Sequence, residues 1–304
     1  MKKLNGLFAA MMLLAAMSCS NESEEMVSNA LVETDNPVPV RVHVDGFSVT
    51  QGEFENPALT RAAQDVADYE GVKAITLAFY NGSTEAYKVT QLRGSLEEGE
   101  TFGEFQCALP MGSYTMVVVG QGLSTGETPL TLTSPTAATF GENVVRETFT
   151  ATQTVNITNT DAVDISTTLN RIVSKLQVVS SDNKVAVANK VRMTFAAGGK
   201  AFNPTTGLAT ANSGFSNTVT TSTAAGEISR SNSYLFLASD EQTMDVTIET
   251  LDDSDNVLFS KTVTDVPFKR NRVTVLTGAV YSNSSVGGAF QVETDWISDY
   301  NGTF

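Results

Sequence analysis

Val38-Pro39-Val40-Arg41-Val42-His43-Val44-Asp45 is the stretch that decides the fold. Four valines fall on every second residue, and Arg41, His43 and Asp45 alternate with them. Side chains of a β-strand point to opposite faces in turn, so this is a strand with one apolar and one polar face. Outward from it the same signal recurs. Ala74-Ile75-Thr76-Leu77-Ala78-Phe79-Tyr80 ends at Asn81-Gly82, a strong hairpin turn. Leu109-Pro110-Met111-Gly112 turns into Ser113-Tyr114-Thr115-Met116-Val117-Val118-Val119, whose unbroken apolar run predicts a strand deep in a core. No amphipathic helix is predicted beyond the first twenty residues. Short strands spaced by Gly, Asn, Asp and Ser clusters predict antiparallel β-sandwiches.

A seam is expected near residues 151–165, where Thr152, Thr154, Asn156, Thr158, Asn159 and Thr160 precede a new block opening at Ile165. That block carries its own strands at 172–179, 191–195, 234–237, 244–250 and 257–263, with Asp252-Asp253-Ser254-Asp255-Asn256 as a hairpin loop. Two domains are therefore expected, 62–160 and 161–304. Residues 20–61 hold one good strand in polar sequence, and a lone strand is not stable by itself. It must pair with the domain that follows.

The N-terminus reads as an export signal. Met1-Lys2-Lys3 is followed by an apolar run from Leu7 to Met17, too short to span a bilayer. Ala16-Met17-Ser18 then precedes Cys19, and a small residue before a lone cysteine at this distance resembles a bacterial lipobox. That resemblance implies a signal peptide over 1–18 and a lipid on Cys19; the alternative is an ordinary signal peptide cut near the same place. The acidic run Ser20-Asn21-Glu22-Ser23-Glu24-Glu25 resembles a tag for export to the outer face of the outer membrane, or is a solvated linker. Cys107, the one other cysteine, is left without a partner for a disulfide. Its alternation with Phe105 and Leu109 predicts a small hydrophobe on a strand.

Composition excludes several classes of function. Thirty-four acids against 19 bases give a formal net charge of −15, which argues against nucleic acid. His43 is the single histidine, and no Gly-x-Ser-x-Gly lies near it, so a hydrolase triad is not expected. Zinc has too few His and Cys ligands. Ala196-Ala197-Gly198-Gly199-Lys200 lacks the first glycine and the final Ser/Thr of a phosphate loop and reads as a strand-ending turn. The acidic loop 252–256 lacks the glycine and closing glutamate of an EF-hand. No catalytic residue, cofactor or metal is expected.

Taken in order along the chain, these pieces resemble the fimbrillins, the type V pilins made from lipoprotein precursors. The pieces are Cys19, the strand at 38–44, the Leu59-Thr60-Arg61-Ala62 junction and Leu-Pro-Met-Gly-Ser-Tyr-Thr at 109–115. Leu169-Asn170-Arg171-Ile172-Val173-Ser174-Lys175-Leu176 and Lys269-Arg270-Asn271-Arg272-Val273-Thr274-Val275-Leu276-Thr277-Gly278 complete them. The resemblance implies two transthyretin-like β-sandwich domains and a non-enzymatic structural role. It implies a surface-exposed precursor held in the outer membrane by the lipid on Cys19. An arginine-specific protease then cuts between Arg61 and Ala62, so residues 19–61 are a propeptide containing the displaced strand of Val38, Val40, Val42 and Val44. A neighbouring subunit, another copy or another pilus protein, fills the vacated groove. The expected donor is Phe290, Val292, Thr294 and Trp296, which share one face of the tail after the Gly287-Gly288 pair; the alternative is that this segment closes its own domain. A tip or anchor subunit, or a monomeric ligand-binding lipoprotein, stands as the rival reading.

Overall fold

The structure, a computed structural model, describes residues 37–48, 63–141, 144–282 and, for the backbone, 291–293. Among these residues there is no helix, and the all-β expectation is met. The first ten strands are β1 (Val38–Ser48), β2 (Ala63–Asp65), β3 (Ala74–Asn81), β4 (Thr84–Leu92) and β5 (Glu104–Leu109), then β6 (Gly112–Gln121), β7 (Thr131–Ser134), β8 (Ala137–Thr139), β9 (Thr148–Ile157) and β10 (Val163–Arg171). Seven of them form one hydrogen-bonded path, β2-β1-β10-β9-β6-β3-β4, with β5 also beside β1. The path folds over on itself because β9 and β10 pair only at Asn170↔Thr150 and Arg171↔Phe149. Beyond that corner they part, β10 joining the layer of β1 and β9 the layer of β6 and β3. The core between the layers includes Val38, Val40, Val42, Val44 and Leu169 on one side and Leu77, Phe79, Met116 and Val118 on the other.

The second half holds β11 (Ser174–Asn183), β12 (Lys190–Phe195), β13 (Ala201–Asn203), β14 (Leu208–Ala209) and β15 (Phe215–Thr220). β16 (Ile228–Leu235), β17 (Glu241–Leu251), β18 (Val257–Lys269), β19 (Val273–Gly278) and β20 (Gln291–Glu293) follow. Its two layers are β16-β11-β19-β20 and β15-β12-β17-β18. Leu176, Val178, Met193, Phe195, Val246, Ile248 and Phe268 fill the space between them.

A third, small sheet ties the halves together in the order β14-β13-β8-β7, with β8 from the first half paired to β13 from the second. Phe202 and Phe236 stack there at 4.4 Å, in a cluster with Ala78, Tyr80, Val117 and Val119. This explains the unbroken apolar runs. β3 and β6 are covered on both faces, by the sandwich core on one and by this cluster on the other.

Two observations depart from the sequence reading. The expected sheets are antiparallel, but β1 runs parallel to β10 and β11 runs parallel to β19. Each parallel pair joins the first strand of one half to a late one, β10 or β19, and the many residues between them supply the long crossover that parallel pairing needs. Residues 163–171, expected to open the second domain, instead form β10 and pack into the first core.

Candidate functional site

β1 is an inserted strand with a neighbour on each edge. On one edge its register against β10 is Val40↔Val163, Val42↔Ile165 and Phe47↔Leu169. On the other, β5 pairs Val38↔Leu109, Val40↔Cys107 and Val42↔Phe105, and β2 pairs Gly46↔Asp65 and Ser48↔Ala63. A register shift between Val44 and Gly46 separates the two stretches, and Val44 N–H donates to the Gly103 carbonyl at 2.9 Å in that region. A Cβ on Gly46 would lie 2.3 Å from the Gln64 carbonyl oxygen, so only glycine lets β2 close the end of the slot.

The two faces of β1 differ sharply. Val38, Val40, Val42, Val44 and Phe47 are each no more than 1% exposed. Pro39, Arg41, His43 and Asp45 are exposed. Arg41 meets Asp164 at 3.7 Å, while His43 contacts Glu104 through Nδ1 and lies 3.3 Å from Asp45 through Nε2. The histidine is thus a polar-face residue between two carboxylates. Among the described residues no group of three or more His, Cys, Asp or Glu is arranged to hold a metal. In the acidic loop, the Asp252 carboxylate accepts from the Ser254 and Asn256 backbone and from the Asn256 side chain. Those bonds, the Asn256 side chain's first, hold it below the usual aspartate range. Cys107 is half-buried and free, its thiol pushed up to about 11 by burial.

The expected lipid site Cys19, the junction Arg61-Ala62 and the donor residues Phe290, Thr294 and Trp296 lie outside the described residues. β2 starts at Ala63, immediately after that junction. Val292 falls in β20, whose backbone pairs antiparallel with β19 of the same chain: Gln291↔Thr277, Val292↔Leu276 and Glu293↔Val275.

Two features escaped the sequence reading. Asp182 clamps the chain just beyond β19, accepting from Val280 N–H at 2.9 Å, Tyr281 N–H at 3.0 Å and the Ser282 hydroxyl at 2.9 Å. The Tyr281 hydroxyl adds a bond to Ser229 Oγ at 2.6 Å, so the root of the tail is pinned to the second sandwich. At the junction of the halves, the guanidinium of Arg171 pairs with Glu147 at 2.8 Å. It also donates to Tyr69 Oη at 3.0 Å and to Asn271 Oδ1 at 3.2 Å, while Tyr69 donates to Glu147 at 2.7 Å. Burial, with the negative charge of Glu147, raises the Tyr69 phenol far above its ordinary value. Arg171 and Tyr281 are common residue types in unremarkable local sequence, and only long-range pairing reveals their partners.

Residues 42–303 match a family of unknown function (DUF6562). No curated protein matches the chain. Among solved structures it is similar to a candidate adhesin from Bacteroides ovatus, with 11% identity, a TM-score of 0.49 and coverage of 75% of this chain and 82% of that one. A candidate cell adhesion protein from the same species shows 14% identity and a TM-score of 0.48 over 87% of this chain and 99% of that one. The fimbrial anchor protein Mfa2 from Porphyromonas gingivalis shows 10% identity and a TM-score of 0.46 over 84% and 95%.

Proposed function

The chain belongs to the DUF6562 family, and from that premise we propose that it is a non-catalytic structural subunit of a type V pilus, matured by removal of β1. The observation that carries the proposal is the slot of β1. One strand supplies five core side chains, is hydrogen-bonded on both edges, and connects to the rest of the sandwich only through residues 49–62, which contain Arg61. A cut after Arg61 removes the sole covalent link without cutting any described strand. Loss of the strand then leaves an apolar groove flanked by unpaired backbone edges of β10 and β5. A strand from another subunit satisfies both at once. Lipidation at Cys19 holds the precursor in the outer membrane until that cut, and the tail around Val292 is the donor, rooted at the Asp182 clamp. In this reading 1–18 is the signal and 19–61 the propeptide. The two sandwiches meet at Ile172-Val173, between β10 and β11.

The test is N-terminal sequencing of filaments, joined with cysteine crosslinking between Val292 and Ile165 in a background lacking Cys107. Ala62 as the first residue and crosslinked ladders are expected. Filaments that keep residues 20–61, or crosslinks confined to one chain, would sink the proposal. Labelled palmitate should enter the precursor and be lost with Cys19→Ser. One observation favours a second reading: β20 already pairs with β19 in its own chain, as a subunit that donates no strand would have it. A tip subunit or monomeric lipoprotein would then give trimmed protein without ladders.

A further inference from the structure

Where β9 and β10 part, a cleft of about 610 Å³ opens between the two halves, walled by β9 and β10 on one side and by residues 204–207 and 270–271 on the other. Its size is in the ordinary range of ligand clefts, but its chemistry is not. Such clefts are mostly apolar with a few polar groups. Here six of the fourteen lining residues are threonines, two are asparagines, and the charged members are Arg171 and Arg270. No acid and no aromatic ring lines it, in a chain of net charge −15.

Arg270 is set in place by its surroundings. It precedes Asn271, which holds a left-handed backbone (φ 58) that asparagine tolerates better than most residues. The turn is pinned at both amides, Arg270 N–H to the Asp240 carbonyl and Asn271 N–H to the Val173 carbonyl, each at 2.9 Å. Arg270 then donates to the Thr206 carbonyl at 2.8 Å and pairs with Asp240 at 2.7 Å. Gly207 makes that approach possible: a Cβ there would lie 2.9 Å from Arg270 Nη1 and 2.8 Å from Ile172 Cγ2. Guanidinium carries five N–H donors, and these two contacts leave others for a guest. Asp240 and Glu147 partner the two arginines, so the cleft offers oriented donors and hydroxyls more than bare charge. That combination suits a ligand rich in hydroxyls with a planar acidic group for the arginine fork.

We propose that this cleft binds an acidic oligosaccharide, with Arg270 meeting the carboxylate of a uronic acid and the threonine and asparagine side chains meeting ring hydroxyls. The proposal is independent of strand exchange, since no residue of β1 or of the tail lines the cleft. The test is calorimetric titration of the purified full chain with trigalacturonate, its methyl ester, maltotriose and triglutamate. Saturable binding of trigalacturonate at one site is expected, with the methyl ester, maltotriose and triglutamate each at least about tenfold weaker. Arg270→Ala and Gly207→Ala should each cost about tenfold or more, with Arg270→Lys between them and the native chain. Thermal melting of each variant identifies any that fail to fold, and Arg270→Lys keeps the test open if they do. No saturable binding of trigalacturonate, equal binding of triglutamate, or affinity indifferent to the folded Arg270 variants would each overturn the site.

Discussion

Each sandwich begins with a strand laid parallel to a late strand of its own half and antiparallel to a neighbour on the other edge. β1 lies between β10 and β5, and β11 lies between β19 and β16. The topology is shared, but the attachment is not. β11 follows β10 after two residues, Ile172 and Val173, both buried, and its opening residues Ser174, Lys175 and Leu176 are buried in succession. β1 alternates buried and exposed residues from Val38 to Asp45 and buries only Gly46 and Phe47 together, and its link to β2 runs through residues 49–62. The same slot therefore holds a strand joined through two buried residues in the second sandwich and, in the first, the strand whose removal is proposed above. Parallel pairing with a long crossover suits such removal, since it leaves the link to β2, the neighbour that follows β1 in sequence, as the one connection to be cut.

The largest expected effect comes from removing β1 outright. Each of its five inward side chains contributes roughly 1.5–3 kcal/mol of burial. Together they match the whole stability of a typical domain, about 5–15 kcal/mol. A chain beginning at Ala62 should therefore lose the first sandwich while keeping the second, and a peptide of residues 37–48 added in trans should restore it. Pulse proteolysis with mass spectrometry of fragments from each half measures this. Equal protection of both halves without the peptide would mean that β1 is a decoration.

Next comes the joint between the halves. Arg171→Met leaves Glu147 buried without its cation, which costs about 3–5 kcal/mol. Because Arg171 also reaches Asn271, the loss should lower the melting temperature of both sandwiches together. Leu176→Ala, in the core of the second half, should cost about 2–5 kcal/mol and be felt there first. Two separate transitions in Arg171→Met would show that the small bridging sheet and its Phe202–Phe236 stack couple the halves less than their packing suggests.

What the sequence made legible follows from periodicity. The four valines of β1, the Asn81-Gly82 hairpin, the turn at Leu109–Gly112 and the loop after Leu251 all sit as expected, because each is written in neighbouring residues. The bridging sheet was not legible, since strands of two to four residues carry no measurable alternation. Nor was the membership of β10: its alternation announces a strand, but which sheet it joins is a long-range choice. The slot of β1 was legible as a strand in need of a partner, whereas its two partners were not. The oligosaccharide cleft escaped entirely, because its walls come from four separated segments of ordinary polar sequence.

Alkaline pH separates the halves more gently. Burial pushes Cys107 up to about 11 and Tyr80 up to about 12, and raises Tyr69 further, all in the first half. In the second half Tyr281 is raised, chiefly by burial. Groups raised in the folded state stabilise it fully below their unfolded values, near 8.5–10. That stability is lost as pH rises through the folded values. Between pH 9 and 12 the first sandwich should weaken before the second, as read by denaturant midpoints of fragments from each half. Cys107→Ala should shrink the difference at pH 10–11 and leave it unchanged at pH 8.

The smallest effect belongs to the outer face of β1, and it tests what holds the strand in place. Arg41 and Asp164 are paired at 3.7 Å with their side chains 64% and 69% exposed. His43 and Glu104 are about half exposed. Exposed pairs are screened by water and salt and are worth about 0–1 kcal/mol. Arg41→Ala and His43→Ala should therefore each change stability by under about 1 kcal/mol, with little added by combining them. Val42→Ala, one residue away on the inner face, removes buried methyl groups and should cost more than either. The comparison is made in one denaturation series at two salt concentrations. If the polar variants cost as much as the valine variant, the strand is held by its outer contacts to Asp164 and Glu104. An incoming strand would then have to reproduce those charges as well as the apolar stripe.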